Sequence, residues 1–190
     1  MAGRRMSYDE RHGQLLDTAA AVVRADGADA LTLARVAEQA GVTKPIVYGH
    51  FETRAGLVKA LYQRVDEQQS EAVRVALDTK VRTLEEAAAL LAEAYVGCVL
   101  HIGQEYGAIT AALSSSPDME EVLHAGRERY VDLYLEALHR FVPGKLDRAV
   151  VFGVIGAAES LSREAIAGRL PGPRAIDAVG RIILAVVRDS

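Results

Sequence analysis

Apolar residues recur along this chain at the three- and four-residue intervals of a helix, and the strict alternation of a strand is nearly absent. The first stripe is Leu15, Leu16, Ala19, Ala20 and Val23. Ser7-Tyr8-Asp9-Glu10 opens it as a capping box, and Gly27 predicts its stop. Thr32 predicts the cap of a short second helix to Ala40; Gly41 breaks that helix, and Thr43 predicts the cap of a third through Tyr48. Thr53 heads a long fourth helix towards Asp78, with Leu57, Val58, Leu61, Tyr62 and Val65 on one face. Thr83-Leu84-Glu85-Glu86 is a second capping box, opening a run to about Ile102, with a short helix from Tyr106 to Leu113 after it. Ser114 to Asp118 is a breaker whose Pro117 suits a first helical position. The helix after it carries Val122, Leu123, Tyr130, Leu133, Tyr134, Leu135 and Leu138 to Phe141, and Pro143-Gly144 ends it. Two more helices, 146–167 and 173–187, flank the turn at 168–172. The expected fold is all-α, with about nine helices.

Composition agrees with packed helices. Half of the 190 residues are hydrophobic, but only 5% are aromatic. The longest apolar run, Ala149 to Ala158, falls far short of the roughly 20 residues that span a bilayer, so no membrane segment is expected. No apolar stretch follows Arg4 and Arg5, which predicts no signal peptide. A lone cysteine, Cys98, excludes an intrachain disulfide and points to the cytoplasm. The net charge of −4 is unevenly spread: residues 1–64 carry nine basic and seven acidic side chains, for +2, and the remainder carries −6.

The segment Leu31 to Phe51, LTLARVAEQAGVTKPIVYGHF, has the helix–glycine turn–helix spacing of a helix-turn-helix, whose second helix can lie in the major groove of DNA. Val36, Ala37, Ala40, Val42, Ile46 and Val47 are expected to pack the two helices together. Thr43, Lys44, Tyr48 and His50 then remain for DNA; lysine can pair with guanine O6 and N7, while hydroxyls and tyrosine usually meet phosphate.

From about Arg11 to Leu61 the residues resemble the tetracycline-repressor (TetR) family of transcription regulators: Leu15 to Ala20, Gly27, Leu31-Thr32, Val36 to Thr43, Val47-Tyr48-Gly49-His50-Phe51, Arg54 and Leu57. The resemblance implies an N-terminal three-helix DNA-binding domain, residues 1–53, and a C-terminal helical effector-binding and dimerisation domain, residues 54–190, joined through the fourth helix. It implies that Thr32 and Thr43 meet phosphate as well as capping, that Tyr48 and His50 touch the DNA backbone, and that Arg54 stands where relatives usually place a phosphate-directed lysine. Lys44 and Pro45 hold the positions most exposed to base edges, and Gly49 offers the groove no side chain. Arg4 and Arg5 form either a minor-groove arm or a plain basic terminus.

In the second part, small residues line the seventh predicted helix. Val150, Gly153, Val154, Gly156, Ala157, Ser160 and Leu161, with Val179 and Ile183 of the last helix, are the expected interface of a homodimer, with intrachain packing as the alternative. Candidates for a pocket holding a small, largely apolar effector are Tyr62, Tyr95, Cys98, His101, Tyr106, Tyr130, Tyr134 and Phe152. His101 and Glu105, four apart, make only a weak metal pair, so no metal or cofactor is expected; His12, His124 and His139 read as solvated.

The expected function is a ligand-responsive transcription factor, usually a repressor, that binds a palindromic double-stranded DNA operator as a dimer, the fourth helix carrying the effector's signal. The alternatives are a helical partner-binding adaptor without DNA contact, or an enzyme. For an enzyme, no G-x-S-x-G, P-loop, G-x-G-x-x-G or H-E-x-x-H pattern is present.

Overall fold

The computed structural model describes residues 6–113, 117–142 and 144–190, with the side chains of 102–113 and 117–119 left aside. Among these residues eight α-helices follow one another: α1 Tyr8–Asp26, α2 Leu33–Ala40, α3 Lys44–Phe51, α4 Arg54–Lys80, α5 Leu84–Leu113, α6 Pro117–Leu138, α7 Arg148–Ile166 and α8 Gly172–Arg188. Single turns of 3₁₀ helix at Ala28–Ala30 and His139–Phe141 complete the order.

The helix starts follow their capping chemistry. Ser7 Oγ accepts from Glu10 N at 3.1 Å and Glu10 Oε2 accepts from Ser7 N at 2.7 Å, which closes the first capping box. Thr83 and Glu86 form the second, at 3.2 and 3.1 Å. Thr32 Oγ1 accepts from Arg35 N at the head of α2, and Thr53 Oγ1 from Gly56 N at the head of α4. Gly27 (φ 83°) and Gly41 (φ 65°) end α1 and α2 in the conformation that favours glycine.

Three expectations need correction. Thr43 precedes α3, but its side chain makes no capping bond; Pro45 in the first turn removes one of the amides a cap would serve. Helix α3 continues past Tyr48 to Phe51, since Phe51 lies one turn on from Val47 and both are buried. The break expected after Ile102 is absent: α5 runs unbroken to Leu113. That stretch holds Gly103 and Gly107 but no proline, and each glycine costs a helix only about 1 kcal/mol.

The chain divides into two compact units. The first comprises residues to Arg64 with Glu105–Met119; the second comprises Val65–Gln104 and Glu120–Ser190. In the first, α1 packs on α2 and α2 on α3, burying Leu15, Ala19, Val22, Leu31, Val36, Val47, Leu57 and Leu61. The turn from α3 to α4 is tight. Glu52 takes φ 59°, and a Cβ on Gly56 would lie 2.2 Å from the Phe51 carbonyl oxygen, so only glycine fits there. In the second, one hydrophobic core joins α4 to α8, among them Val73, Leu91, Val131, Leu133, Ile155, Val179 and Ile183. Helices α7 and α8 pack closely on each other.

Candidate nucleic-acid interface

Helix α3 turns Val47 and Phe51 inward and presents the opposite side to solvent. Thr43, Lys44, Pro45, Tyr48 and Gly49 are all exposed, Tyr48 to 50%. Ile46, expected in the helix–helix packing, is 39% exposed instead. One residue along a helix is about 100° of rotation, so burying Val47 swings Ile46 and Tyr48 outward on opposite flanks of the helix. Lys44 is the basic side chain of this helix, and Thr32 stands exposed at the head of α2. The nearby Arg35 is engaged by Asp26 at 3.0 Å and Glu38 at 3.2 Å.

Two expected DNA residues have additional partners. Arg54 donates Nε to Leu31 O at 2.7 Å and Nη2 to Ala28 O at 3.1 Å, so its guanidinium closes the loop before α2 onto the start of α4. Ten residues further on, Arg64 donates to Gly13 O at 2.7 Å and Asp17 Oδ1 at 2.6 Å, tying α4 to α1. His50 is half-buried. Its ring lies 4.2 Å from Tyr8, 5.5 Å from His12 and 6.0 Å from Phe51, centroid to centroid. The Nδ1 atoms of His50 and His12 are buried without a hydrogen-bond partner. Burial, then the neighbouring His12 and Arg11, hold the His50 imidazole below its usual pKa. His12 is therefore not the solvated residue its sequence context suggests: it stacks 4.9 Å from Phe51.

The effector candidates separate by placement. Tyr95, Cys98, Tyr130 and Tyr134 are buried in the second unit; Phe152 and Tyr62 are half-buried, and His101 is exposed. Tyr106 lies outside the described side chains. Tyr134 donates its hydroxyl to Leu91 O at 2.9 Å, which makes it a structural tie between α6 and α5. Tyr95 and Tyr130 meet edge to face at 4.8 Å. Beside them is a polar group the sequence reading missed. Asp66 and Ser70, each 2% exposed, share a face of α4 with buried Val73 and Leu77. Arg129 of α6 donates both Nε (2.8 Å) and Nη2 to Asp66 Oδ2. The available signal was an aspartate and a serine four apart on an apolar helical stripe.

The expected interface residues also divide. Val154, Val179 and Ile183 are buried within the chain, because α7 and α8 close on each other through them. Val150, Gly153, Gly156 and Ser160 form an exposed stripe on α7, with Ala157 and Leu161 half-buried beside it. Nothing lies within 4 Å of a Cβ built on Gly153 or Gly156.

Residues 15–61 match the family model of the bacterial regulatory proteins, tetR family. The HTH-type transcriptional activator FasR of Mycolicibacterium smegmatis is 36% identical over 104 residues, 55% of this chain and 47% of FasR. The chain thus matches about half the length of that curated relative. A TetR-like transcriptional regulator from Rhodococcus sp. RHA1 superposes with a TM-score of 0.60 at 21% identity, over 98% of this chain and 100% of that one. The fatty acid degradation regulator FadR from Bacillus halodurans superposes with a TM-score of 0.69 at 15% identity, over 91% and 97%. At these identities the superpositions show a shared fold.

Proposed function

We infer that this chain is a member of the tetR family of bacterial regulatory proteins, whose model its residues 15–61 match, and a DNA-binding transcriptional regulator that binds a palindromic operator as a homodimer and releases it when a small effector occupies the second unit. One observation carries this reading: α3 buries Val47 and Phe51 against its own unit and leaves Thr43, Lys44, Pro45, Ile46 and Tyr48 facing solvent. A recognition helix needs that division, with its first turn free to enter a major groove. Lys44 supplies the donor for a base edge. The hydroxyls of Thr32, Thr43 and Tyr48 and the ring of His50 supply phosphate contacts on either side of the groove.

Arg54 supports the same reading by a different route from the one its position suggests. It fixes the loop before α2, and with it the register of α2 and α3, onto α4. Helix α4 belongs to both units, Arg64 being its last residue in the first. An effector favouring a different placement of α4 would act on α1 through Arg64 and on the α2 loop through Arg54. It shifts the operator equilibrium only by as much as it distinguishes the two states. A palindromic operator read in successive major grooves needs two α3 helices about 34–36 Å apart, one turn of DNA, and dimerisation through the exposed α7 stripe would supply the second copy. The protein would work in the cytoplasm.

Selection of genomic fragments on the purified protein, followed by gel retardation, tests the reading. Sequence-preferring binding that Lys44→Ala with Tyr48→Ala abolishes, while the dimer persists, supports it. An absence of sequence-preferring binding at moderate salt overturns it and favours the adaptor.

A further inference from the structure

The second unit buries more polar chemistry than it uses. Ser70 Oγ and Tyr130 Oη are both shut away from solvent; Ser70 Oγ has no hydrogen-bond partner, and Tyr130 Oη has none stronger than the neighbouring Cys98 thiol. Ser70 is 2% exposed and Tyr130 5%. Unpartnered hydroxyls at such depth are expensive, and native proteins satisfy almost all of theirs. The two do not stand alone. Asp66 lies one turn before Ser70 on α4, and Asp66 and the Cys98 thiol both act on the Tyr130 phenol. Helices α4, α5 and α6 therefore bring a carboxylate, a thiol and a phenol together beside the Tyr95 ring and the aliphatic core, with the unpartnered Ser70 hydroxyl one turn along α4.

We propose that this cluster binds the polar end of the effector, and that this end is an uncharged group that both donates and accepts hydrogen bonds, a hydroxyl above all, on an otherwise apolar molecule. The proposal rests on the ligand-responsive reading above and names the ligand class for it. Charge decides the class. Arg129 places both its bonds on Asp66 Oδ2, so the ion pair is already balanced and Oδ1 takes no part in it. A ligand carboxylate would face Asp66 and would have to take Arg129 from it. A ligand ammonium would compete with Arg129 for Asp66 and leave the guanidinium without its partner. A neutral hydroxyl does neither: it donates to Asp66 and accepts from Tyr130 or Ser70. Burial raises the Asp66 carboxyl above its usual range despite Arg129, so a further donor at Asp66 is rewarded.

The test uses three probes of equal chain length, decan-1-ol, decanoate and decylammonium, titrated calorimetrically into the full chain and into a Ser70→Ala/Tyr130→Phe variant. The expected result is that the alcohol binds at least about tenfold more tightly than either ion, and that the double variant loses this preference. Without ligand the variant should melt at or above the wild-type temperature, since the substitutions remove one buried hydroxyl without a partner and one whose partner is only a weak thiol. Equal or tighter binding of an ion, no binding of any probe, a preference unchanged in the variant, or a clear fall in its ligand-free melting temperature would each overturn the proposal. The last two would mean that ordered water or the protein itself satisfies these hydroxyls. Gel retardation on the selected DNA runs in parallel. DNA binding that persists while the probes fail removes this proposal alone, whereas loss of DNA binding removes the reading beneath it.

Discussion

Arg54 donates Nε to the carbonyl of Leu31 across 23 positions of sequence, at 2.7 Å. A second bond to Ala28 O makes the guanidinium a two-pronged clasp between the start of α4 and the loop before α2. Lysine cannot reproduce it, because a single ammonium lacks the planar fork. Arg54→Lys should therefore cost about 1–2 kcal/mol of stability and weaken operator binding without a matching change in salt dependence. A phosphate-directed cation would behave differently: affinity and salt slope would fall together while the melting temperature stayed put. Thermal melts and retardation at several salt concentrations separate the two.

On the open face of α3 the expected losses are of another kind. Lys44→Ala should cost about 1–3 kcal/mol of operator binding and relax discrimination at one base pair. Tyr48→Phe should weaken binding to specific and unrelated DNA alike, because a phosphate contact carries no sequence information. Since Pro45 and Gly49 offer no polar side chain, affinity should fall steeply with salt. Competition titrations against point-substituted operators measure both effects.

His50 links the interface to pH. Its pKa lies below 6.5 in the folded chain because burial and His12 disfavour the imidazolium. The unfolded chain therefore takes up the proton first. The stability that neutral His50 contributes is complete above pH 6.5 and is lost as pH falls through the lower folded value. Melting temperatures between pH 8 and pH 5 should fall for the wild type and fall less for His50→Gln. Parallel curves would show that His50 does not titrate in this range.

The capping boxes, the glycine stops and the packed helices were all legible in the sequence, because each is encoded within four residues or by a repeating stripe. The tie between Arg54 and Leu31, the stacking of His12 on Phe51 and the pairing of Arg129 with Asp66 were not. Each joins side chains distant in sequence, and nothing local distinguishes a buried arginine partner from a solvated one. Position alone assigns Arg54 to phosphate; its geometry assigns it first to two backbone carbonyls. Val154, Val179 and Ile183 failed as interface residues for a related reason. An apolar position predicts burial, but not whether the neighbour belongs to the same chain.

The Asp66–Arg129 pair makes its own forecast. With Arg129→Met the carboxylate keeps its burial and loses its counter-ion, a change that costs roughly 3 kcal/mol at neutral pH. Asp66 in that variant holds its proton further above the usual carboxylate range than in the wild type. The folded state then binds more protons than the unfolded one, so the variant's deficit widens as pH rises from 5 to 8. Adding Asp66→Asn removes the charge and should recover most of the loss. Urea melts of the wild type and both variants across that range decide it, and a pH-independent deficit would show that Asp66 is solvated once Arg129 is gone.

The α7 stripe gives the last prediction. Val150, Gly153, Gly156 and Ser160 are exposed on one chain, and neither glycine would crowd a neighbour within that chain if it carried a side chain. A glutamate there should leave the fold intact, since it has a higher helix propensity than glycine, by up to roughly 1 kcal/mol. It should nevertheless prevent two copies of α7 from approaching, because the isologous contact doubles every insertion about its axis. Gly153→Glu with Gly156→Glu is expected to sediment as a monomer with an unchanged helical spectrum. Its operator affinity should collapse, since each half-site would be bound alone. A variant that remains dimeric would place the interface elsewhere on the second unit.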